Sequence, residues 1–352
     1  MKQRNIFYSL LACALLLAGC TKEGGRMRLR ASVESFAKDS KAAIAQYGTY
    51  NTFFPVLADG EEVDINGSTY QIRFNAEDVC MEITPDAPMP EPGNYYIAQM
   101  PTNLIEENYN GYTPGTEENQ FHLLLNYPTA YHMRPLTASN AYNYNYYGDP
   151  AVYYDNLPLL AISDRERQGL YFKNLTTIID VQVKNNLGSN YGDITLEQVT
   201  VPGCDPLRRD IAYYLGDDTE DPNDDYIDFF QATPSEDVNV YPHLSSNTIA
   251  PNTTMHVPVP VPPTSTNATD PNPPTIRIEV KGRVTETSTG KLYRFTYARE
   301  RALSKHLVRN QYFTAAMYVS NNQYMTEWTQ IGGPIDPGTG NHEGFTNGGN
   351  LW

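Results

Sequence analysis

The residue whose type and position point most directly to chemistry is Cys20. The chain begins with Lys2 and Arg4, continues with an apolar run from Ile6 to Leu17, and reaches Cys20 directly after Leu17-Ala18-Gly19. A positive start, an apolar run too short to span a bilayer and small residues at a cleavage point are typical of a secretory signal peptide. A cysteine at that point offers a thiol that can carry an acyl chain. The alternative is an ordinary secretory signal with a chance cysteine.

The charge balance argues against several classes of partner. The chain has 352 residues and a formal net charge of −16 at pH 7. Nucleic acids and anionic membrane surfaces both require a basic face on the protein that binds them. We therefore expect no nucleic-acid partner, and an acidic balance of this size favours solubility outside the cell.

No pattern of residues indicates a metal site or a catalytic group. The acidic stretch from Asp217 to Asp228 could offer carboxylates to calcium, but it lacks the Asp-x-Asx-x-Asx-Gly loop with a terminal Glu, which favours a solvated loop. The histidines are dispersed and lack the spacing of a zinc site: His122, His132, His243, His256, His306 and His342. There is no nucleophile elbow and no phosphate-binding loop. We expect no metal, no cofactor and no enzymatic activity.

Two further cysteines, Cys80 and Cys204, remain in the mature chain. An extracytoplasmic compartment permits a disulfide between them. Two unpaired small core residues are the alternative, because a sequence does not give the distance between two thiols. Both interpretations stay open at this point.

A regular strand is expected directly behind the candidate lipid attachment site. Residues 26–34 read RMRLRASVE, and the apolar side chains share one parity: Met27, Leu29, Ala31 and Val33. Side chains of a strand alternate between two faces, so the segment presents one apolar and one charged face. Burying each large apolar side chain is worth about 1.5 to 3 kcal/mol. We therefore expect this face to fill an apolar groove in a sheet.

The rest of the chain is expected to form strands as well. Tyr occurs 27 times, Gly 24 times and Pro 26 times, and no stretch shows a long, capped helical stripe. The strongest strand region, LYFKNLTTIIDVQVKN, begins at Leu170 and places Ile179, Val181 and Val183 in period two. Strands without intervening helices favour β-sandwiches over a parallel α/β sheet. The proline-rich run 256–274 favours an edge or a connector rather than a central strand.

The length of the mature chain suits two domains. We expect a signal peptide over residues 1–19, an N-terminal domain over 20–185, a C-terminal domain over 186–331 and a Gly- and Pro-rich tail over 332–352. The boundary follows the strand that ends near Val183.

Segments in this order resemble the fimbrillins, the subunits of type V pili in Bacteroidetes. Pro158 to Asn186 is similar to a family stretch in which a Leu-Leu-Ala-like entry leads to a strand with aromatic and Leu landmarks and then to a β-branched strand, although Asn174 stands where many members have His. His306 to Ser320 resembles the family's late strand entry, which has Val-Arg-Asn and an aromatic residue. Trp328 after that strand and Trp352 at the end complete the resemblance.

The resemblance implies two tandem transthyretin-like Greek-key β-sandwich domains and a structural role. The Leu-Ala-Gly-Cys ending at Cys20 is similar to a bacterial lipobox, which implies acylation of Cys20 and attachment to the outer membrane. In the family, a protease then cuts beyond the first strand, and the vacated groove accepts a strand from a neighbouring subunit. The implied partners are other pilin subunits and host or bacterial surface receptors, and the implied product is an extracellular fimbrium that supports adhesion.

The processing site departs from the family pattern. Members cut by arginine-specific proteases carry Arg just after the first strand, whereas here only Lys38 and Lys41 follow it before Ile72. Cleavage at Lys38 or Lys41, cleavage by another protease and no cleavage stay open, and an uncleaved chain would be a lipid-retaining anchor or accessory subunit. For a donor strand, residues 323–331 are preferred to the glycine-rich tail because they alternate better.

A surface glycan-binding lipoprotein of a nutrient-uptake system is the alternative from another class. It would use the tyrosines of the segment NAYNYNYYGDP as stacking surfaces for sugars: Tyr142, Tyr144, Tyr146 and Tyr147. Tyrosines half-buried at the rim of a sheet explain the same pattern, and this interpretation is preferred.

Overall fold

A computed structural model describes the chain in a series of ranges: 29–33, 57, 60–75, 80–83, 95–106, 120–135, 152–154, 157–164, 169–203, 209–216, 225–232, 237–241, 247–266 and 269–331. Every regular element in these ranges is a β-strand, which confirms the all-β prediction. Within the same ranges, no apolar helix reaches the length that a bilayer crossing requires.

The strands are numbered β1 to β21 in chain order. The first ten are β1 Arg30–Val33, β2 Glu62–Ile65, β3 Ser68–Asn75, β4 Cys80–Ile83, β5 Tyr95–Met100, β6 Gln120–Leu125, β7 Ala130–Pro135, β8 Val152–Tyr154, β9 Leu159–Asp164 and β10 Gly169–Asn174. The remaining strands are β11 Thr177–Asn185, β12 Tyr191–Val201, β13 Arg209–Tyr214, β14 Tyr226–Ala232, β15 Val238–Tyr241, β16 Thr248–Ile249, β17 Thr254–Val261, β18 Thr275–Glu286, β19 Leu292–Ala302, β20 Tyr312–Val319 and β21 Met325–Gln330.

Seven strands close into a barrel in the order β1-β10-β9-β5-β2-β3-β4, and β4 pairs with β1 again. Apolar side chains such as Val63, Ile72 and Phe172 fill its interior. The β2–β3 hairpin turns at Asn66 and Gly67, whose φ angles of 50° and 82° are those that a two-residue hairpin turn requires. The first expected sandwich is thus closed into a barrel, because β1 bonds to strands on both of its sides.

A three-stranded sheet in the order β14-β13-β6, here called the cover sheet, packs on the outside of the barrel. Ile97 of β5 and Leu160 of β9 point outward from the barrel and join Leu123 and Ile211 of the cover sheet in one buried cluster. Their neighbours in sequence, such as Ala98 and Leu159, lie in the barrel interior. β5 and β9 are therefore apolar on both faces, as strands buried on both sides must be.

The second half of the fold is a sandwich of two sheets. The small sheet has the order β17-β11-β20, and the large sheet has the order β21-β19-β18-β12-β15-β7-β8 with β16 paired to β12. The period-two face predicted for Ile179, Val181 and Val183 of β11 lies in the core between the two sheets. There it packs with side chains of the large sheet such as Leu196 and Val280. The sandwich form expected for this region is confirmed.

The strand region that begins at Leu170 is divided between the two halves of the fold. β10 belongs to the barrel, and β11 belongs to the small sheet. Between them, the Asn174 side-chain oxygen accepts hydrogen bonds from the Thr176 backbone N–H at 3.0 Å and from the Thr176 hydroxyl at 2.8 Å. Such a local Asn bond competes with strand pairing, and it redirects the chain from one sheet to the other.

The proline-rich segment forms the edge strand β17 of the small sheet. The Asn185 N–H donates to the Thr253 carbonyl, so alternate residues of β17 from Thr253 onward face β11 with their backbone groups. Pro258 and Pro260 fall on the other parity, where an N–H would point away from the sheet. The prolines therefore leave the ladder to β11 intact and remove N–H donors from the opposite edge of β17.

Strands from the first half of the chain pair with strands from the second half. β6 pairs with β13 in the cover sheet, whereas β7, which follows it after residues 126–129, pairs with β15 in the large sheet. β13 and β14 come from the second half of the chain, and among the described residues β11 pairs with β17 and β20, which also come from that half. Strands on the two sides of residue 185 are therefore paired with one another, and the domain boundary expected there stays a prediction.

Candidate functional site: the first strand of the barrel

The first strand lies between two partners of opposite direction. β1 runs parallel to β10, with Ala31 opposite Leu170, and antiparallel to β4, with Arg30 opposite Glu82. The Ile83 backbone N–H donates to the Leu29 carbonyl at 2.9 Å, which extends the ladder to β4 beyond the strand itself. Both edges of β1 are thus hydrogen-bonded, and the strand closes the barrel.

The apolar side of β1 faces the barrel interior. Leu29 is 1% exposed and Ala31 is 6% exposed, and both belong to the interior cluster. The same cluster contains Leu170 and Phe172 of β10 and Ile83 of β4. The side chains that β1 places in the interior therefore pack among residues from the strands that it bonds.

The interior of the barrel holds a buried tyrosine among its apolar side chains. Tyr70 of β3 lies in the interior cluster and is 4% exposed. Burial raises the pKa of the Tyr70 phenol above its ordinary value, and a hydrogen bond from Ser68 offsets part of this effect. Loss of a strand from this barrel would admit water to an interior that is lined by apolar and uncharged side chains.

Several residues singled out from the sequence lie outside the described ranges. These are Cys20, Met27, Lys38, Lys41 and Cys204. Cys80 is the first residue of β4 and Val33 the last residue of β1, and the description of both is limited to their strands. Lipid attachment, proteolysis and the disulfide accordingly stay predictions.

The short strand β4, which forms one wall beside β1, was not singled out from the sequence. It contains only four residues, Cys80–Ile83. A run of this length carries little periodicity, and the one available signal is the alternation that places Ile83 inward and Glu82 outward. The partner of a strand cannot be read from such a signal.

The segment 323–331, preferred as a donor strand, is already part of the large sheet. β21 pairs with β19 between Met325 and Gln330. Strict alternation along residues 323–331 would place Met325 and Trp328 on opposite faces, but both are buried in the sandwich core. Thr296 pairs with Glu327 and Tyr297 with Met325, so Thr326 is an extra residue of β21 that changes the parity of the strand, and strict alternation along this segment was wrong.

The described residues offer little support for a metal site or for the sugar-binding site considered at the tyrosine-rich segment. There, no three side chains of His, Cys, Asp or Glu converge as metal ligands would. The tyrosines of the segment 140–150 lie outside those ranges. The first strand and its slot therefore remain the candidate functional site.

Comparison with known proteins gives limited results. No protein-family model matches the chain, and no curated protein matches it. Solved structures of candidate cell adhesion proteins are similar to it: one from Bacteroides fragilis NCTC 9343 is 13% identical with a TM-score of 0.36, over 87% of this chain and 98% of that chain. Another from Bacteroides uniformis ATCC 8492 is 11% identical with a TM-score of 0.35, over 86% and 96%. A likeness at this level carries no argument about this chain.

Proposed function

We propose that this chain is a structural subunit of a cell-surface fimbrium, exported as a lipoprotein and assembled by exchange of its first strand. The observation that supports the proposal is the position of β1. It is a strand of four residues that closes the barrel between β10 and β4, and it follows the expected lipid attachment site within the same short N-terminal segment. A strand with few pairs and a covalent link to an anchor is suited to replacement.

The order of residues along the chain supports a sequence of steps. The segment from Cys20 to Leu29 spans at most about 30 Å when fully extended, so a lipid on Cys20 would hold the barrel close to the membrane. Lys38 and Lys41 lie after β1. Cleavage at either residue would detach β1, together with its lipid, from the rest of the subunit.

Removal of β1 would leave a defined slot. The edges of β10 and β4 would expose unpaired backbone N–H and C=O groups, and the interior beside Leu170, Phe172 and Ile83 would be open. Burial of a side chain such as that of Leu29 is worth about 1.5 to 3 kcal/mol. An extended segment of a neighbouring subunit would restore both the backbone bonds and this burial, which is the driving force for assembly.

The geometry of the slot limits which segment can fill it. A replacement strand must run parallel to β10 and antiparallel to β4, as β1 does. It must present a large apolar side chain at the position of Leu29 and a small one at the position of Ala31. β21 is bound within its own large sheet, so this segment would have to leave β19 before it could act as a donor.

The experiment is a controlled removal of β1. Residues 38–41 are replaced by the recognition site of a specific protease, and the purified mature chain is cleaved. Loss of the released peptide is verified by mass spectrometry, and assembly is followed by light scattering and by denaturant-resistant ladders on gels. We expect oligomers only after the peptide has dissociated.

A matched peptide pair sharpens this experiment. A synthetic peptide of residues 26–34 in excess should suppress assembly, whereas the same peptide with Leu29→Asp should not, because a charge cannot enter the apolar slot. A cleaved chain that stays monomeric after verified loss of β1 would contradict the proposal.

A further inference from the structure

The outer face of the cover sheet carries polar and aromatic side chains in register. Its inner face, which includes Phe121 and Tyr213, packs on the barrel. On the opposite parity, one cross-strand row contains Gln120, Tyr214 and Tyr226. This row lies outside the slot of β1 and plays no part in the proposed strand exchange.

Two tyrosine rings of this row form a parallel stack. The rings of Tyr214 and Tyr226 lie 4.2 Å apart at an angle of 6°. Tyr226 is 52% exposed, so one side of the stack faces solvent. Tyr226 lies on the edge strand β14, and a ring that stacks on its inner neighbour directs its other face past the edge of the sheet.

Hydrogen bonds hold the stack in place. The Gln120 amide donates to the Tyr214 hydroxyl at 2.8 Å. Beneath the stack, the Tyr213 hydroxyl donates to the buried Asp225 carboxylate at 3.0 Å, and the Gly216 N–H donates to the same carboxylate at 2.9 Å. These bonds join the end of β13 to the start of β14, so the exposed ring is presented by a fixed backbone.

A second cross-strand row adjoins the stack. It contains His122 of β6, Ala212 of β13 and Asp228 of β14. Ala212 is fully buried and small, while His122 and Asp228 on either side are half-buried. The face therefore combines an exposed aromatic ring with an amide and a carboxylate from neighbouring strands.

We propose that this face binds a neutral saccharide. The apolar C–H side of a pyranose ring packs on an aromatic face, and sugar hydroxyls both donate and accept hydrogen bonds, which suits the amide of Gln120 and the carboxylate of Asp228. Binding sites commonly pair an apolar surface with a few such polar groups.

The charge of the surroundings selects neutral sugars over acidic ones. Asp228 lies within the face, and Asp210 of β13 is exposed on the same side of the sheet. Carboxylated or sulfated glycans would be repelled by this field, as would nucleic acids. A neutral saccharide meets no such repulsion.

The test begins with an array that presents neutral oligosaccharides beside sialylated and sulfated ones. The mature chain should bind neutral structures and not the acidic ones. Calorimetry with the strongest neutral oligosaccharide then measures the effect of Tyr226→Ala. We expect at least about tenfold weaker binding, because truncation of an aromatic residue at the centre of a contact has an effect of this size. Tyr226→Phe, which keeps the ring, should retain binding.

Tyr318 provides a matched control. It is 50% exposed, close to the exposure of Tyr226, but lies on β20 of the small sheet. Tyr318→Ala should leave saccharide binding unchanged, and thermal unfolding should show that both alanine variants are folded. An array without neutral ligands, a preference for acidic glycans, or equal losses for the two variants would overturn the proposal. Tyr226→Ala should still assemble after removal of β1, so this result is independent of the fimbrial function.

Discussion

The strand that closes the barrel is much shorter than the central strands of the sandwich. Four residues of β1 pair with β10 and two with β4. In the sandwich, eleven residues of β18 pair with β19, and eight residues of β11 pair with β20. Backbone pairing and burial both grow with strand length, so β1 is held by fewer backbone pairs than the central strands of the sandwich. The barrel is therefore suited to replacement of its first strand, whereas the long strands of the sandwich are suited to staying in place.

The largest effect should come from truncation of one buried leucine in each region. Leu29→Ala in the barrel and Leu196→Ala in the sandwich both remove a fully buried side chain, and each should cost about 2 to 5 kcal/mol. Hydrogen exchange should distinguish them. Leu29→Ala should accelerate exchange in β1, β4 and β10 while leaving β11 and β18 protected, because β1 can open locally.

The Leu196 variant is the control for this comparison. It should lower the protection of β12 and its neighbours in the sandwich together, because these strands share one core. If Leu29→Ala accelerated exchange uniformly in both regions, β1 would not be an independently opening strand, and the contrast between the regions would fail.

A smaller effect should follow from Gly282→Ala on β18. A Cβ at this position would lie 2.8 Å from the Thr195 carbonyl oxygen and 3.1 Å from the Phe295 ring. A backbone atom at that distance must move, so we expect a loss of about 1 to 3 kcal/mol in the free energy of unfolding, measured with urea. Gly192→Ala is the matched control on β12, since its nearest neighbour is 3.7 Å away. Equal losses for the two variants would show that close approach at Gly282 is not the cause.

The smallest effect concerns alkaline pH. Burial raises the pKa of Tyr70 in the barrel, and it is also the main cause of the raised pKa values of five tyrosines among the described residues of the sandwich: Tyr131, Tyr191, Tyr293, Tyr297 and Tyr312. A raised pKa in the folded state gives stability that is present below the unfolded value of about 10 and is lost as pH rises through the folded value. The sandwich should therefore lose more stability above pH 10 than the barrel.

Two variants test this contrast. The melting temperature of the protein should fall between pH 8 and pH 11, and Tyr131→Phe should reduce that fall more than Tyr70→Phe. Phenylalanine has no ionisable group, so each variant removes one contribution to the pH dependence. A larger effect of Tyr70→Phe would reverse the predicted order of the two regions.

Local features of the fold were accessible from the sequence because they depend on local physics. Alternation correctly identified the inward face of β11 at Ile179 and Val181. The missing N–H groups of Pro258 and Pro260 correctly indicated an edge. The break at Asn174 was not predicted, because a side-chain bond to Thr176 leaves no mark in the period of apolar residues.

Partner choice was less accessible, since it depends on contacts far apart in sequence. The alternation at Leu29 and Ala31 predicts one apolar face, but it does not specify β10 and β4 as partners or the parallel direction of the first pairing. The pairing of β6 with β13 likewise joins distant segments, and the sequence of neither strand specifies the other as its partner. The tyrosine stack was missed for the same reason, because Tyr214 and Tyr226 meet only through the register of β13 and β14.

The short connection between β6 and β7 has a mechanical consequence. Asn126 donates to the Leu104 carbonyl on the barrel side, and Thr129 accepts from the Asn239 N–H in the large sheet. A force that pulls the two regions apart would therefore load these two backbone hydrogen bonds, and the connection is not a free hinge. The barrel and the sandwich would then resist separation until these two bonds ruptured.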